Sequence, residues 1–593
     1  MHLAPESETI LSRKQNRFEF ASEFPLKIQR RPHRSFLPLI VLALGASPHL
    51  LAQAGNYGGI QKYETSINPE NIRAHVKFLS DDLLEGRYPG LRGGELAAKY
   101  VATQFAIDGL KPAGDDGTYF QNINFVGMKV RGEETSFSFI PRSGDPMPLR
   151  YADDYTVANQ TLTPSVDIDA PIVFVGYGVT APEFNWDDYA GIDVKGKVIL
   201  CIVGDPPSDD PKFFGGKALT YYGRWTYKFE QAARKGAVGA LIIHRTDLAS
   251  YGWDVVKNSN TSEKTFLRDD KNAHLQAASW IQLDIAQKLF AAAGLDFDQQ
   301  FAAAGKPGFK AVKLPVRLKA HVESTVRPFQ SPNVVGILPG SQKPDHAILY
   351  TAHYDHLGFV PGPDGNPKSP GDNIYNGAAD NGTGVGMILE LARVWGQIRS
   401  DAGAAGLPHS VILSAVTAEE QGLLGSEYLG QNPPIPAAQI ALDINYDMIL
   451  PIGTPLEIDV NGAQRTDFYP DVEKTAKTFH LTIVPDPRPE AGSYYRSDHF
   501  SLSRVGIPAF SVDTGTLYEG HDRAWGEEKL KDFVANDYHN FSDNYHPDWD
   551  FAGNAKLLRF GMDLGWQVIH SNKPIVWNKG DEFEAARLAS EKP

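Results

Sequence analysis

His353, Asp355, Asp380, Glu419, Glu420, Asp447 and His539 have residue types and an order that fit one chemistry, hydrolysis at a pair of divalent cations. Imidazole nitrogen and carboxylate oxygen are the zinc donors open to a site that lacks thiolates. Two ions roughly 3.5–4 Å apart need a carboxylate between them and a water that both can reach. That water needs a base which is not itself used up as a ligand. Adjacent Glu419 and Glu420 can divide these tasks, because neighbours at a strand end point in different directions. A fifth donor must come from farther along, and the stretch 538–543, Tyr-His-Asn-Phe-Ser-Asp, offers His539.

Such residues work only if the backbone brings them together. The apolar run 347–352 has strand character and ends in His353-Tyr354-Asp355. Residues 379–384 form a glycine-rich turn feeding a helix in which Val385, Ile388, Leu389 and Ala392 keep helical spacing. A second buried-type strand, 411–416, runs into Thr417-Ala418-Glu419-Glu420, and a third, within 440–449, carries Asn445-Tyr446-Asp447. Sites in open α/β sheets form at the carboxyl ends of strands, where these residues fall.

His353-x-Asp355, Asp380-Asn-Gly-Thr-Gly, Glu419-Glu420, Asn445-x-Asp447-Met and Tyr538-His539 together resemble the M28 family of zinc aminopeptidases and carboxypeptidases. The resemblance implies two zinc ions per chain, with Asp380 as the bridging carboxylate. Glu420 and His539 would complete one zinc site, His353 and Asp447 the other. It also implies Glu419 as general base and Asp355 as the carboxylate that orients His353. Tyr538 would be a hydrogen-bond donor to the developing oxyanion. His499 and His546 compete with His539 for the last ligand position, and Asp364 and Asp372 with Asp380; the motif context favours His539 and Asp380. The expected substrates are peptides with a free N-terminus. Rival readings are a carboxypeptidase, for which Arg496 could meet a substrate carboxylate, a glutaminyl-cyclase-like enzyme, and a receptor-like binding protein that has lost catalysis.

The remaining chain bounds this picture. With 593 residues, several domains are expected. Composition is that of an ordinary globular protein, and a formal charge of −15 without a basic stripe argues against nucleic-acid partners. The expected fold is α/β: a mixed, mainly parallel central sheet with helices on both faces, plus a smaller inserted domain. Helical patterns cover 72–84 and 93–109, and Leu84-Glu-Gly-Arg87 resembles the opening of M28 peptidase domains. From 165 to 322 the chain has its own strand-and-helix rhythm. There Lys195-Gly-Lys-Val and the turn 232–240 resemble a protease-associated (PA) domain, with Tyr221, Tyr222, Trp225 and Tyr227 crowded into one loop. The expected order is a targeting segment at 1–54, peptidase chain at 55–164, the PA insert at 165–322, peptidase again at 323–575 with a last helix near 554–570, and a charged, mobile tail at 576–593.

Arg30, Arg31 and Arg34, the apolar run 36–44 and Ala52-Gln53-Ala54 read as a cleavable signal, so export to periplasm or medium without stable membrane insertion is expected. The lone Cys201 sits in an apolar strand-like run and is expected to be inert.

Overall fold

The computed structural model describes residues 57–249, 251–362, 365–367, 371–403, 407–486 and 489–592. The signal-type segment and Asp364 lie outside the described residues. Among those described, no helix is long and apolar enough to cross a membrane.

Four parallel strands carry the candidate site. In spatial order they are Ala509–Ser511, Ile440–Asn445, Lys343–His353 and His409–Val416. Their near-continuous apolar sequences suit strands covered on both faces. Ile348, Tyr350, Ala352, Leu413 and Ile444 face a layer that includes the helices Pro69–Leu79, Gly384–Ala402 and Ala552–His570. Ala347, Leu349, Ile412 and Ile440 face the opposite layer, with Leu429 and Leu502 from the short helices Leu424–Gln431 and His499–Arg504. Each fully buried Leu, Ile or Val in these layers contributes about 1.5–3 kcal/mol relative to exposure. The last long helix lies close on the sheet because Gly561 faces the Tyr446 hydroxyl, where a Cβ would stand 1.9 Å from that oxygen.

The antiparallel part of the architecture hangs on one strand, Val312–Leu338, of 27 residues. Its end pairs with His409–Val416, its middle with Phe120–Val130, and its start with Ser165–Phe174 and Ser136–Pro141. The expected boundary between residues 322 and 323 falls inside this strand, which runs straight through it. Leu314, Val316, Leu318, Ala320 and Val322 are buried in strict alternation, which is the period of a half-buried strand.

Around the start of that strand a second sheet forms, with Ser165–Phe174, Val198–Ile202, Gly239–Ile243 and Ala277–Ile281 in parallel and Tyr155–Ala158 antiparallel at its edge. It has its own core, including Phe174, Leu200, Leu241 and Phe290. The strands Ser136–Pro141, Met147–Leu149 and Tyr155–Ala158 precede residue 165 yet join this sheet, so it gathers chain from 136 onward. Cys201 is buried here, its thiol pushed up to about 12 by burial.

The charged tail is not free as expected. Trp577 donates its indole N–H to the Gly506 carbonyl at 3.1 Å, and Asp581 and Glu582 pair with Arg465 at 2.8 and 2.6 Å. Phe583 closes over the Arg465 guanidinium, and the helix Glu584–Ser590 follows. Two of the charges that suggested solvation, Asp581 and Glu582, are spent on the half-buried Arg465.

Candidate metal centre

The parallel register puts His353 beside Val416 and Thr351 beside Asn445, so the segments that follow open onto one edge. Three of them turn through a left-handed residue at the site: Ala418 (φ 55°), Met448 (φ 53°) and His539 itself (φ 57°). Backbone conformations of this kind in non-glycine residues cluster where function constrains the chain. Asn381 locks two segments together. Its side-chain N–H donates to the Tyr446 carbonyl at 2.9 Å, and its oxygen accepts from the Gly384 and Met448 N–H groups at 2.8 and 3.2 Å. Gly384 has no alternative there, since a Cβ would fall 2.3 Å from the Tyr446 carbonyl oxygen.

Asp380 lies at the centre. Its Oδ1 is 3.4 Å from His353 Nε2, and its Oδ2 is 3.2 Å from His539 Nε2. On one side His353 Nε2 also meets Asp447 Oδ1 at 3.1 Å. On the other, His539 Nε2 meets Glu420 Oε2 at 3.1 Å. The five residues expected as ligands therefore converge as two groups sharing one carboxylate. Donor atoms of His353, Asp380 and Asp447 lie within 4.8 Å of one another, as do those of His353, Glu419 and Glu420.

Supporting contacts fix these groups. Asp355 Oδ1 accepts the Glu419 backbone N–H at 3.1 Å, while its own carbonyl faces His353 Nδ1 at 3.2 Å. The orienting contact to His353 is thus the Asp355 main chain; its carboxylate is farther away, at 3.9 Å. Ser497 donates to Asp447 Oδ2 at 2.5 Å and accepts from Asn445 at 2.8 Å. Tyr538 stacks on the His539 ring, with centroids 3.9 Å apart.

Three supports were not read from the sequence. His356 Nδ1 donates to Glu420 Oε1 at 2.6 Å from a fully buried position. The Asp543 carboxylate accepts the backbone N–H groups of Ala379 and Asp380 at 2.9 and 3.0 Å, so the motif that supplies His539 also holds Asp380. Arg87, 1% exposed, donates to the carbonyls of Leu79, Tyr354, Asn376 and Gly377 at 2.6–2.8 Å. The only sequence signal for His356 was a histidine three residues after His353.

The competitors fall away. His499 is buried against Tyr494, with neither ring nitrogen hydrogen-bonded among the described residues, and burial holds it down at about 3. His546 is exposed beside Trp549, and Asp372 turns to Asn544 at 3.3 Å.

Charge is unbalanced across this edge. Asp355, Asp380, Glu419, Glu420, Asp447, Asp498 and Asp543 surround it, against Arg87 and three histidines. Burial pulls His539 down, yet Glu420 and Asp380 outweigh it and hold the ring up at about 11. Burial pushes Asp380 up, but His353 and His539 overcome it and hold the carboxyl well below its usual range. Glu419 goes the other way, pushed well above the ordinary value by burial, with Glu420 and Asp447 adding to it against His353. Uncompensated carboxylates at such depth are costly. A divalent cation at each group would remove the imbalance, so the donor set fits the metals that the sequence implies.

His356 and His539 both reach Glu420, which makes them separable by experiment. His539→Gln is expected to empty one metal site. His356→Gln is expected to lower affinity there by about 10–100-fold without abolishing it, the usual cost of losing a residue that orients a ligand. Metal titration of the chelated variants checks the order; equal losses would reverse or merge the two assignments.

Residues 333–559 match the family model described as Peptidase family M28. A probable zinc metalloprotease of Pyrenophora teres f. teres is 33% identical over 127 residues, which cover 21% of this chain and 24% of that protein. A probable leucine aminopeptidase of Arthroderma otae is 29% identical over 200 residues, covering 32% of this chain and 49% of that protein. The chain thus spans about a quarter to a half of the length of these relatives. Among solved structures, an aminopeptidase from Aneurinibacillus sp. strain AM-1 superposes with a TM-score of 0.47 at 17% identity, covering 87% of this chain and 96% of that one.

Proposed function

With residues 333–559 belonging by sequence to peptidase family M28, we propose that this protein is an exported two-zinc aminopeptidase that removes the N-terminal residue of peptides. The observation that carries the reading is Asp380, whose two oxygens face His353 on one side and His539 on the other. His353 and Asp447 would hold one zinc ion, and His539 and Glu420 the other. Bound there, zinc supplies Lewis acidity that polarises the scissile carbonyl and acidifies the attacking water.

The chain's own residues do the rest. Glu419 takes a proton from the attacking water and delivers it to the leaving amine. Its main chain is clamped by Asp355, so the side chain works from a fixed base. Tyr538, whose ring stacks on His539, would donate to the oxygen that gains charge at the carbonyl. Asp447 is steadied by Ser497, and Glu420 by His356. A free amine on the substrate is a neutral donor that an internal peptide bond lacks, which accounts for exopeptidase action.

The second sheet we read as a PA insert that borders substrate entry. Its loop meets the peptidase half where Leu219 donates its N–H to the Pro489 carbonyl at 3.0 Å and Tyr221 packs on Phe500 at 5.1 Å. Tyr222 and Tyr227 stay within the insert, edge-to-face at 5.1 Å.

The test is elemental analysis together with hydrolysis of leucine anilide and of the tripeptide Leu-Gly-Phe. About two zinc ions per chain, with chelator-sensitive release of leucine first from the tripeptide, is the expected result. Release of phenylalanine first would replace the reading with a carboxypeptidase. A zinc-loaded protein inert on both substrates would overturn it.

A further inference from the structure

The strand Ile440–Asn445 carries an acid where its sequence is otherwise apolar. Asp443 stands between Leu442 and Ile444, is fully buried, and among the described residues pairs with no cation. Its side chain meets the Thr351 hydroxyl, which lies 3.1 and 3.3 Å from its two oxygens. The same hydroxyl is 2.9 Å from Asn445 Oδ1. Asn445 Nδ2 donates to Ser497 Oγ at 2.8 Å, and Ser497 donates to Asp447 Oδ2 at 2.5 Å. A continuous chain of polar groups thus runs from the core of the sheet to Asp447. The register explains how it forms. Asp443 lies beside Leu349 and Asn445 beside Thr351, so alternation along the two strands puts Asp443, Asn445 and Thr351 on one face.

Counting hydrogens gives this chain a direction. A hydroxyl has one hydrogen to donate, so Thr351 cannot donate to Asp443 and to Asn445 at once. If it donates to Asn445 Oδ1, then Asp443 must donate to Thr351, which requires a protonated carboxyl. If it donates to Asp443, the Asn445 amide turns round and Ser497 gives its hydrogen to the amide oxygen. Asp447 must then carry the proton and donate to Ser497. Each direction leaves one proton on one end. A metal ligand at Asp447 has to be a carboxylate, which selects the first direction. Depth selects it as well, because a buried carboxylate without a cation is far costlier than a neutral acid with a hydrogen-bond acceptor. Burial pushes Asp443 well above the ordinary carboxyl range, against the pull of Thr351.

We propose that Asp443 is a positioning residue for the zinc site of His353 and Asp447: as a neutral acid it donates to Thr351 and fixes the direction of the chain that ends on Asp447. With its oxygen occupied by Asp443, Thr351 commits its hydrogen to Asn445. The amide N–H is then committed to Ser497, whose one hydrogen goes to Asp447 Oδ2. Asp447 Oδ1 stays turned toward His353, 3.1 Å from Nε2. Hydrogen bonds aligned in this way polarise and strengthen one another. The inference rests on the two-zinc reading for the ligand role of Asp447.

Infrared difference spectra of wild type minus Asp443→Asn, taken on the zinc-free full chain well above the ordinary carboxyl range, read the proton directly. A protonated-carboxyl C=O band present in wild type and absent from the variant is expected. Spectra without that difference overturn the proposal. Zinc titration of the His539→Gln chain, in which the site of His353 and Asp447 is the one expected to remain, reads the positioning. In that parent, Thr351→Val and Asp443→Leu should each weaken zinc binding by about tenfold, the lower end of the cost of losing an orienting partner. Asp443→Asn can still donate an N–H to Thr351 and should stay near the parent affinity. A merely structural acid would instead shift the melting temperature and leave zinc affinity unchanged. Unchanged affinity in both Thr351→Val and Asp443→Leu overturns the positioning role even when the infrared band is present. A parent that binds no zinc overturns the two-zinc reading and the positioning role with it, while the band still decides the direction of the chain.

Discussion

Glu419→Gln is expected to lower kcat by about 10²–10⁴-fold, the usual contribution of a positioned general base, while zinc content stays at the wild-type level. The two halves of this result come from different contacts. Glu419 is anchored through its backbone N–H on Asp355, and the substitution leaves that bond alone. Its carboxyl makes none of the contacts around Asp380, where His353, Asp447, His539 and Glu420 are paired with one another. Glutamine keeps the length and shape of the side chain but cannot accept a proton usefully. KM for leucine anilide should change little, because the lost interaction belongs to the transition state. Substitution of neighbouring Glu420 should differ in kind, with zinc lost along with turnover. If Glu419→Gln loses zinc and Glu420→Gln keeps it, the two glutamates have been assigned the wrong way round. Retained turnover in Glu419→Gln would remove the base assignment altogether.

That two adjacent glutamates receive separate tasks was legible from the sequence, and so were the strands that end at the site. His353, Glu419 and Asp447 each follow an apolar run long enough to be a buried strand, and such runs are local features. The supports were not legible, for a physical reason. Arg87 and Asp543 act on main-chain carbonyls and N–H groups, which all residues but proline carry alike, so no side-chain pattern marks their partners. His356 has a specific partner in Glu420, but 64 residues separate them. The strand Val312–Leu338 crosses the expected boundary at 322/323 because its first half pairs into one sheet and its second half into another. The tail misled for a related reason, its acidic residues being matched by a distant arginine.

Asp380→Asn is expected to remove zinc binding at both sites at once, and this is the strongest test of a shared carboxylate. In the wild type, zinc at about one hundred times its Kd should stabilise the fold by about 2.7 kcal/mol for each site filled, provided it binds the native state alone. Asp380→Asn should lose most of that zinc-dependent rise in melting temperature and retain well under one ion per chain. Asp447→Asn should lose only its own site, since Glu420 and His539 still face Asp380 from the other side. The substitution is isosteric and leaves the clamp from Asp543 intact, because that clamp grips the Asp380 main chain. Loss of metal in a variant that still melts cooperatively therefore reports on the carboxylate and not on collapse of the turn. In the metal-free protein, His353 and His539 are held up by Asp380 among other acids, so its removal also lets both imidazoles give up their protons at a lower pH. If Asp380→Asn instead keeps one full zinc site, the two donor groups are independent and the site is not built around a bridge.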